Sequence, residues 1–274
     1  MGTDDVLLDV GNLSVTLASP AAEVLVKSLS FTMGRERVAL VGESGSGKSL
    51  LAWALLGLLP QGCCMQADRV WFAGQDLMQL DERQWCRWRG QRIAMVMQGP
   101  RYALNPMRRI GWLVEEPLRL HTSLGRRARR ERVLEHLNAV GLPASTELLE
   151  RYPHQISSGM AQRVMLAMAL ICRPDLLIID ERAFALDRET RVQVLSLLDH
   201  QAAGHNMGVL LISHDLALVE RHSERVLVMR QGELLDELPA RQLPHATHPY
   251  TQALWRCRPG LQTKGTMLPV DEVL

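Results

Sequence analysis

One segment near the N-terminus restricts the fold more than any other. Residues 37–42, "RVALVG", are typical of a short buried strand, and residues 50–58 have the apolar pattern of a helix. Between them lies "ESGSGKS", a stretch rich in glycine and serine with one lysine. A strand that leads through a glycine-rich loop into a helix is typical of α/β folds, which place ligands at the ends of their strands.

This loop has the spacing of a phosphate-binding loop. "GESGSGKS" fits G-x-x-x-x-G-K-[ST], with Gly42, Gly47, Lys48 and Ser49 at the fixed positions. The glycines let backbone N–H groups approach phosphate oxygens, and the following helix directs its positive end at them. Lys48 would neutralise phosphate charge, and Ser49 would offer its hydroxyl to Mg²⁺. A flexible linker is the alternative, but the flanking strand and helix favour the phosphate loop.

A second segment, "LLIID" at 176–180, places carboxylates at the end of a strand. Asp180 is followed directly by Glu181, and two adjacent negative charges after a buried strand need a cation. Asp180 would hold Mg²⁺ through water, and Glu181 would polarise the attacking water as general base. A solvated acidic turn is the alternative, and the phosphate loop favours the magnesium site.

Two further polar residues end predicted strands. Gln98 ends "RIAMVMQ" and His214 ends "GVLLISH". We expect both strands to be parallel members of the sheet that also carries Gly42 and Asp180. The four residues should therefore lie at one edge, near the γ-phosphate.

A second anion-binding feature lies at 152–170, "YPHQISSGMAQRVMLAMAL". Ser157, Ser158 and Gly159 precede a long apolar helix, where they can cap its N-terminus and present N–H groups to an anion. Since the chain already has one phosphate loop, this second one is expected to serve a nucleotide held by another subunit.

The remaining pattern predicts one α/β chain with an insertion. Strand-like alternation fills the first hundred residues, residues 103–172 are helical in pattern, and strand–helix alternation then returns. "RVLVMRQGELLDEL" predicts a hairpin that turns near Gly232, and "THPYTQALWR" predicts a closing helix. This order implies a mostly parallel sheet with helices on its faces.

Composition excludes several classes of protein. The 31 basic and 30 acidic side chains nearly balance, which argues against a chain that coats nucleic acid. The arginines of 126–132 are expected on the solvated face of a helix. Five irregularly spaced cysteines favour reduced thiols. Neither a secretory signal nor a run long enough to span a bilayer is apparent, so we expect a soluble chain whose membrane role comes through a partner.

Taken together, the motifs resemble the ATP-binding subunit of an ABC transporter over roughly residues 5–240. "GESGSGKS" resembles Walker A, "LLIIDE" Walker B, Gln98 the Q-loop, "ISSGMAQ" the signature, "ALD" with Asp187 the D-loop, and His214 the switch histidine. The residues that the resemblance assigns to ATP are Gly42, Glu43, Ser44, Gly45, Ser46, Gly47, Lys48, Ser49, Leu50 and Gln98. It assigns Mg²⁺ to Ser49, Gln98 and Asp180, catalysis to Glu181 and His214, and the partner's nucleotide to Ser157, Ser158, Gly159, Met160 and Gln162.

The resemblance also implies a fold and partners. It implies an ABC-type P-loop ATPase with a mostly parallel core sheet, an N-terminal antiparallel β-subdomain and an inserted helical subdomain. The expected divisions of a single 1–274 domain are a core at 1–102 and 173–240, a helical subdomain at 103–172, and a closing helix and tail at 241–274. ATP and Mg²⁺ are the implied cofactors. The implied partners are a second ATPase subunit, two membrane-spanning permease subunits and, indirectly, an extracytoplasmic binding protein, with the chain at the cytoplasmic face of the inner membrane and no nucleic acid.

Finer motifs favour one branch of the family. "QGPRYALNP", "YPHQISSGM" and "HPYTQAL" resemble the oligopeptide, dipeptide and nickel importers, and the short C-terminal tail favours those for nickel or metallophores. The cargo itself, and whether the ATPase pair is a homodimer or a heterodimer, stay open. A soluble ABC-type ATPase acting on nucleic acid or ribosomes is the alternative, but only a compact stretch of 109 residues separates Lys48 from Ser157.

Two positions depart from the family pattern. Ser158 stands where a first glycine is usual, which adds a side chain where backbone and phosphate approach closely. Arg182 stands where proline is usual and places a cation beside Glu181. We expect Arg182→Pro to alter the ATPase rate and to leave nucleotide binding intact.

Overall fold

A computed structural model describes residues 6–18, 22–96, 103–180 and 188–257. Its regular elements are, in chain order, β1 (Leu8–Leu17), β2 (Val24–Met33), β3 (Arg37–Val41), α1 (Lys48–Leu55), β4 (Cys63–Gln66), β5 (Arg69–Phe72), β6 (Gln75–Asp76), α2 (Glu82–Trp88), β7 (Ile93–Val96), α3 (Ile110–His121), α4 (Arg126–Ala139), α5 (Thr146–Glu150), α6 (Ser158–Leu170), β8 (Leu176–Asp180), α7 (Arg188–His205), β9 (Gly208–Ser213), α8 (Leu216–His222), β10 (Arg225–Arg230), β11 (Glu233–Pro239) and α9 (Pro249–Arg256).

The chain divides into two compact units. The first comprises residues 1–79 and 210–274, and the second comprises residues 80–209. This division into two units does not test the subdomain boundaries expected from the sequence, which stay a prediction.

An antiparallel sheet forms the N-terminal part of the first unit. Its order is β2-β1-β5-β6, and β4 also pairs with β1. Leu8 of β1 lies opposite Met33 on β2 and opposite Phe72 on β5, and all three side chains are fully buried. Alternation of apolar and polar residues along these strands gives the sheet one buried face. The predicted antiparallel β-subdomain is confirmed.

A second set of strands in this unit contains the parallel pairing. β10 pairs with β3 in parallel and with β11 in antiparallel orientation, and β9 lies on the other side of β3. β3 and β10 are buried along nearly their whole length, as expected for strands covered on both faces. The β10–β11 turn consists of Gln231 and Gly232, both with positive φ, which matches a two-residue type I′ hairpin. The predicted hairpin near Gly232 is confirmed.

The C-terminal elements of the first unit pack on these strands. α8, a 3-10 helix at Ala240–His245, and α9 share one apolar cluster with β3, β10 and β11. Its buried members are Ala39, Val41, Leu216, Val219, Val226, Val228, Leu238, Ala240, Leu243, Ala246 and Tyr250. The predicted closing helix is therefore present and is docked through its Tyr250 ring.

The second unit combines two parallel strands with a helical layer. β7 pairs in parallel with β8, in register from Ile93 with Leu176 to Val96 with Ile179. α3 packs against α4, α5 and α6 through buried aliphatic side chains, among them Leu118. The helical pattern predicted for 103–172 is confirmed in α3 to α6. Within the described part of the chain, none of the helices combines the length and the apolar character needed to cross a bilayer.

The arginine-rich run lies on α4. Arg127 pairs with Glu131 on the exposed face, whereas Arg129 turns toward Glu115 at 2.7 Å. Beneath them Val133 and Leu137 are buried. This arrangement accounts for the run as a salt-bridged helix face over an apolar base.

Candidate functional site

The phosphate loop follows β3 in the first unit. Gly42 has φ +148°, and a Cβ at this position would lie 2.0 Å from the carbonyl oxygen of Met229. Gly47 has φ +99° and precedes the first residue of α1, where a Cβ would lie 3.1 Å from the Leu25 carbonyl oxygen. Both positions therefore require glycine, because backbone atoms crowd them and L-residues avoid these angles.

Lys48 lies inside the loop. Its side chain is buried, with 6% of the residue exposed. Nζ donates to the Gly42 carbonyl and the Ser46 hydroxyl, each at 2.9 Å, and to the Glu43 carbonyl. These bonds replace the water that the ammonium group loses on burial. They hold a positive charge at the N-terminal end of α1, where phosphate charge is favoured.

The other loop residues differ in exposure. Glu43, Ser44 and Gly45 are exposed, while Ser46 is buried. Ser49 and Leu50, in the first turn of α1, are half-buried. The exposed residues thus form the rim of the loop, and Lys48 lies beneath them.

The β10–β11 turn is hydrogen-bonded to the phosphate loop. The N–H of Gly232 donates to the Ser46 carbonyl at 3.1 Å, and the Gly232 carbonyl accepts from the N–H of Lys27 at 2.8 Å. A Cβ added at either glycine would meet Met229, at its carbonyl oxygen for Gly42 and at its methyl group for Gly47. The sequence gives no local signal for this support, because the turn lies about 185 residues further along the chain.

Asp180 ends β8 in the second unit. All five residues of this strand are buried, and Asp180 itself is 5% exposed. Burial of a carboxylate is unfavourable unless a cation or hydrogen bonds stabilise it. A carboxylate oxygen is also the ligand type that Mg²⁺ prefers, so Asp180 fits a magnesium ligand, as does the hydroxyl of Ser49. Gln98, Glu181, Arg182 and Asp187 lie outside the described residues.

His214 follows β9 and is exposed. The residues on either side fix the backbone that carries it. The Ser213 hydroxyl accepts from the N–H of Asp215 at 2.9 Å, and the Asp215 carboxylate caps α8 by accepting from the amides of Ala217 and Leu218. Sequence reasoning missed Asp215, although an aspartate directly before a helix is a recognisable N-cap.

The second anion-binding feature is the N-terminus of α6. Ser157 is its N-cap and accepts from the N–H of Met160 at 3.3 Å. Ser157 and Ser158 are exposed, Gly159 and Met160 are half-buried, and Gln162 is 1% exposed. The serines therefore present the positive end of a 13-residue helix to solvent, while Gln162 lies inside the unit's packing.

The chemistry of these groups converges on a nucleotide. The chain has a phosphate loop around a buried lysine, a buried carboxylate after a strand, an exposed histidine after another strand, and a serine-capped helix N-terminus. Residues 26–183 match the sequence model of the ABC transporter family. The chain belongs to the ABC transporter family. It is an ATPase, and its cofactors are ATP and Mg²⁺.

Curated relatives cover nearly the whole chain. The dipeptide transport ATP-binding protein of Escherichia coli K12 is 40% identical over 256 residues, which is 92% of this chain and 78% of that protein. The oligopeptide transport ATP-binding protein of Salmonella typhimurium is 39% identical over 95% of this chain and 78% of that protein. The glutathione import ATP-binding protein of Shigella dysenteriae is 40% identical over 97% of this chain and 44% of that longer protein.

Solved structures show the same fold. A dimeric ATP-binding cassette in a post-hydrolysis state, bound to ADP and phosphate, has a TM-score of 0.75 and 26% identity over 85% of this chain and 99% of its own. A cassette from Clostridium perfringens, part of an ABC transporter complex, also has a TM-score of 0.75, at 21% identity over 92% of this chain and 96% of its own. The predicted ABC ATPase fold is confirmed.

Proposed function

We propose that the chain is the ATP-hydrolysing subunit of an importer for short peptides. The phosphate loop with Lys48 buried inside it is the observation that carries nucleotide binding. The peptide cargo is supported by about 40% identity, over most of both chains, to subunits named for dipeptide and oligopeptide transport. The direction of transport is supported by 40% identity to a subunit named for glutathione import. The chain acts at the cytoplasmic face of the membrane, where ATP is available.

Within the chain's own site, the roles follow from charge and position. Lys48 and the loop amides bind the β- and γ-phosphates. Ser49 would offer its hydroxyl to Mg²⁺ and Asp180 would hold the ion through water, with Gln98 as a further ligand; the ion would offset phosphate charge. Glu181 polarises the attacking water as general base.

The remaining site residues serve the chain's own nucleotide and that of a second subunit. His214 contacts the γ-phosphate from the end of β9. The exposed serines at the α6 N-terminus reach the nucleotide of a second ATPase subunit, and Asp187 lies at the contact between the subunits. The chain has one phosphate loop of its own, so a second anion-binding N-terminus at α6 supports pairing with a second ATPase subunit.

The partners follow from this pairing. Two ATPase subunits act on two membrane-spanning permease subunits, and an extracytoplasmic binding protein delivers the cargo to the permeases. The permeases and the binding protein contact the cargo and therefore select it. The nickel or metallophore cargo expected from the sequence stays a prediction.

The test is substrate-stimulated hydrolysis by the whole transporter. The chain is assembled in proteoliposomes with its membrane partners, its second ATPase subunit and its binding protein, and phosphate release is measured with dipeptides, glutathione, Ni²⁺ or a nickel–metallophore complex. We expect dipeptides or glutathione to stimulate release. Stimulation by nickel species alone would contradict the peptide cargo and would leave the importer intact. Stimulation by nucleic acid without the membrane partners would contradict the importer itself.

A further inference from the structure

The closing helix α9 carries a buried tyrosine that reaches the phosphate loop. Tyr250 is 4% exposed, and its ring belongs to the apolar cluster that contains Ala39 and Val41 of β3 and Leu216 of α8. The guanidinium of Arg230 lies over the ring, 4.9 Å from its centroid. The ring is therefore held in place by packing and by a cation–π contact.

The phenol oxygen contacts Glu43, the second residue of the loop. It accepts from the Glu43 N–H at 3.4 Å. Burial raises the pKa of Tyr250 to about 12, so the phenol keeps its proton throughout the neutral range. The neutral hydroxyl can accept the backbone N–H, and it thereby restrains the backbone of Glu43.

A hydroxyl group at this position is not explained by packing. The other buried members of the cluster are apolar, and a buried hydroxyl is unfavourable unless it forms hydrogen bonds. A phenylalanine ring would fill the same space. The partner that the structure gives to this hydroxyl is Glu43 of the phosphate loop.

The helix has anchors that do not involve the hydroxyl. Thr251 is 1% exposed, and its hydroxyl donates to the Asp236 carboxylate at 2.7 Å. His248 caps the helix by accepting from the N–H of Tyr250 at 3.2 Å, and the Gln252 amide donates to the Ala246 carbonyl at 2.8 Å. Docking of α9 and contact with the loop are therefore separable by mutation.

We propose that Tyr250 is a positioning residue for the phosphate loop. Its hydroxyl fixes Glu43 at the point where the chain leaves β3, and this restraint presents the following loop amides to the nucleotide in the correct geometry. The loop is thus braced at two places, by the β10–β11 turn at Ser46 and by α9 at Glu43. This inference rests on the proposed function of the loop as the nucleotide site.

The test compares two single-hydroxyl deletions in the full-length chain. The dissociation constant of MgADP, which is not hydrolysed, is measured by calorimetry, and Tm is measured on the same samples. Tyr250→Phe should raise the dissociation constant about three- to tenfold, the range set by loss of one hydrogen bond, with little change in Tm. Thr251→Val, which weakens α9 docking without touching Glu43, should lower Tm and leave the dissociation constant unchanged.

Three results would overturn the proposal. An unchanged dissociation constant for Tyr250→Phe would show that the hydroxyl does not position the loop. An equal loss of affinity in Thr251→Val would show that α9 acts only through its docking. Lys48→Ala tests whether the loop is the nucleotide site, because this variant should abolish MgADP binding. Unaltered binding would reject the loop as the nucleotide site, and the role of Tyr250 with it.

Discussion

Substitution of Gly42 by alanine tests whether the phosphate loop depends on close backbone contact. The new Cβ would lie 2.0 Å from the Met229 carbonyl oxygen, and an ordinary contact needs at least 3.4 Å. The loop must therefore move away from β10 by about 1.4 Å. Good hydrogen-bond lengths lie between about 2.7 and 3.2 Å, a span of only about 0.5 Å. A displacement of about 1.4 Å exceeds this span, so amides aimed at phosphate oxygens lose their bonds.

Gly74 offers a matched control. It also has a positive φ, +80°, but a Cβ there would meet nothing within 4 Å. Gly74→Ala should therefore show only backbone strain of about 1–2 kcal/mol. Gly42→Ala should add about 1–3 kcal/mol for the steric contact, which is a further Tm loss of roughly 2–12 °C.

Binding and unfolding are measured together on both variants. We expect Gly42→Ala to raise the MgADP dissociation constant at least about tenfold, since a lost hydrogen bond to a charged group amounts to about 1.5–3 kcal/mol. Gly74→Ala should bind as the wild type does. Equal Tm and equal affinity in the two variants would refute the requirement for close backbone contact at Gly42.

Three further predictions concern other parts of the molecule. Burial lowers the pKa of His136, so as the pH falls the unfolded chain binds this proton before the folded chain does. The contribution of neutral His136 to stability is therefore fully present above pH 6.5 and is lost as the pH falls through the lowered pKa. His136→Gln should flatten the resulting decline of Tm with decreasing pH. The Arg225 side chain is 20% exposed and pairs with Glu36 at 2.6 Å, whereas Arg127 lies in an exposed pair. In denaturant titrations, Arg225→Ala should lower the free energy of unfolding by about 1–2 kcal/mol and Arg127→Ala by less than about 0.5 kcal/mol. Equal losses would show that burial does not strengthen the Arg225 pair. Ser158→Gly should raise ATP turnover of the assembled transporter and leave MgADP binding by the chain unchanged, and a lower turnover would show that Ser158 assists the partner's site.

The sequence predicts the parts of the fold that have a local signal. A buried strand, a glycine-rich loop and an apolar helix in succession are enough to place the phosphate loop, since each residue's role depends on its immediate neighbours. The β10–β11 hairpin is predicted for the same reason, because Gln231 and Gly232 occupy a two-residue turn between alternating strands. The closing helix follows from "HPYTQAL".

Elements with weak periodicity were missed. β4 has only four residues, and its adjacent cysteines gave no strand pattern. α2 is also short, yet Asp81 and Gln84 form a capping box, for which the sequence "DERQ" is a local signal.

The contacts that shape the site are long-range and leave no trace in local sequence. Met229 crowds Gly42 from a strand almost at the other end of the chain, and Tyr250 reaches Glu43 across 207 residues. Periodicity places each of these residues on an element, but only tertiary packing shows which pairs touch. The exposure of His214 and the burial of Gln162 depend on packing in the same way.

The claim that this phosphate loop powers peptide import is tested by peptide-stimulated phosphate release in proteoliposomes. The release is compared between the wild type and Lys48→Ala. Lys48 is the buried cation of the loop, and loss of its charge-assisted bonds to phosphate should reduce stimulated release at least about tenfold. A dipeptide should stimulate the wild-type complex, and Lys48→Ala should remove this stimulation while the subunits still assemble. Stimulation that persists in Lys48→Ala would contradict the assignment of this loop as the site that powers import.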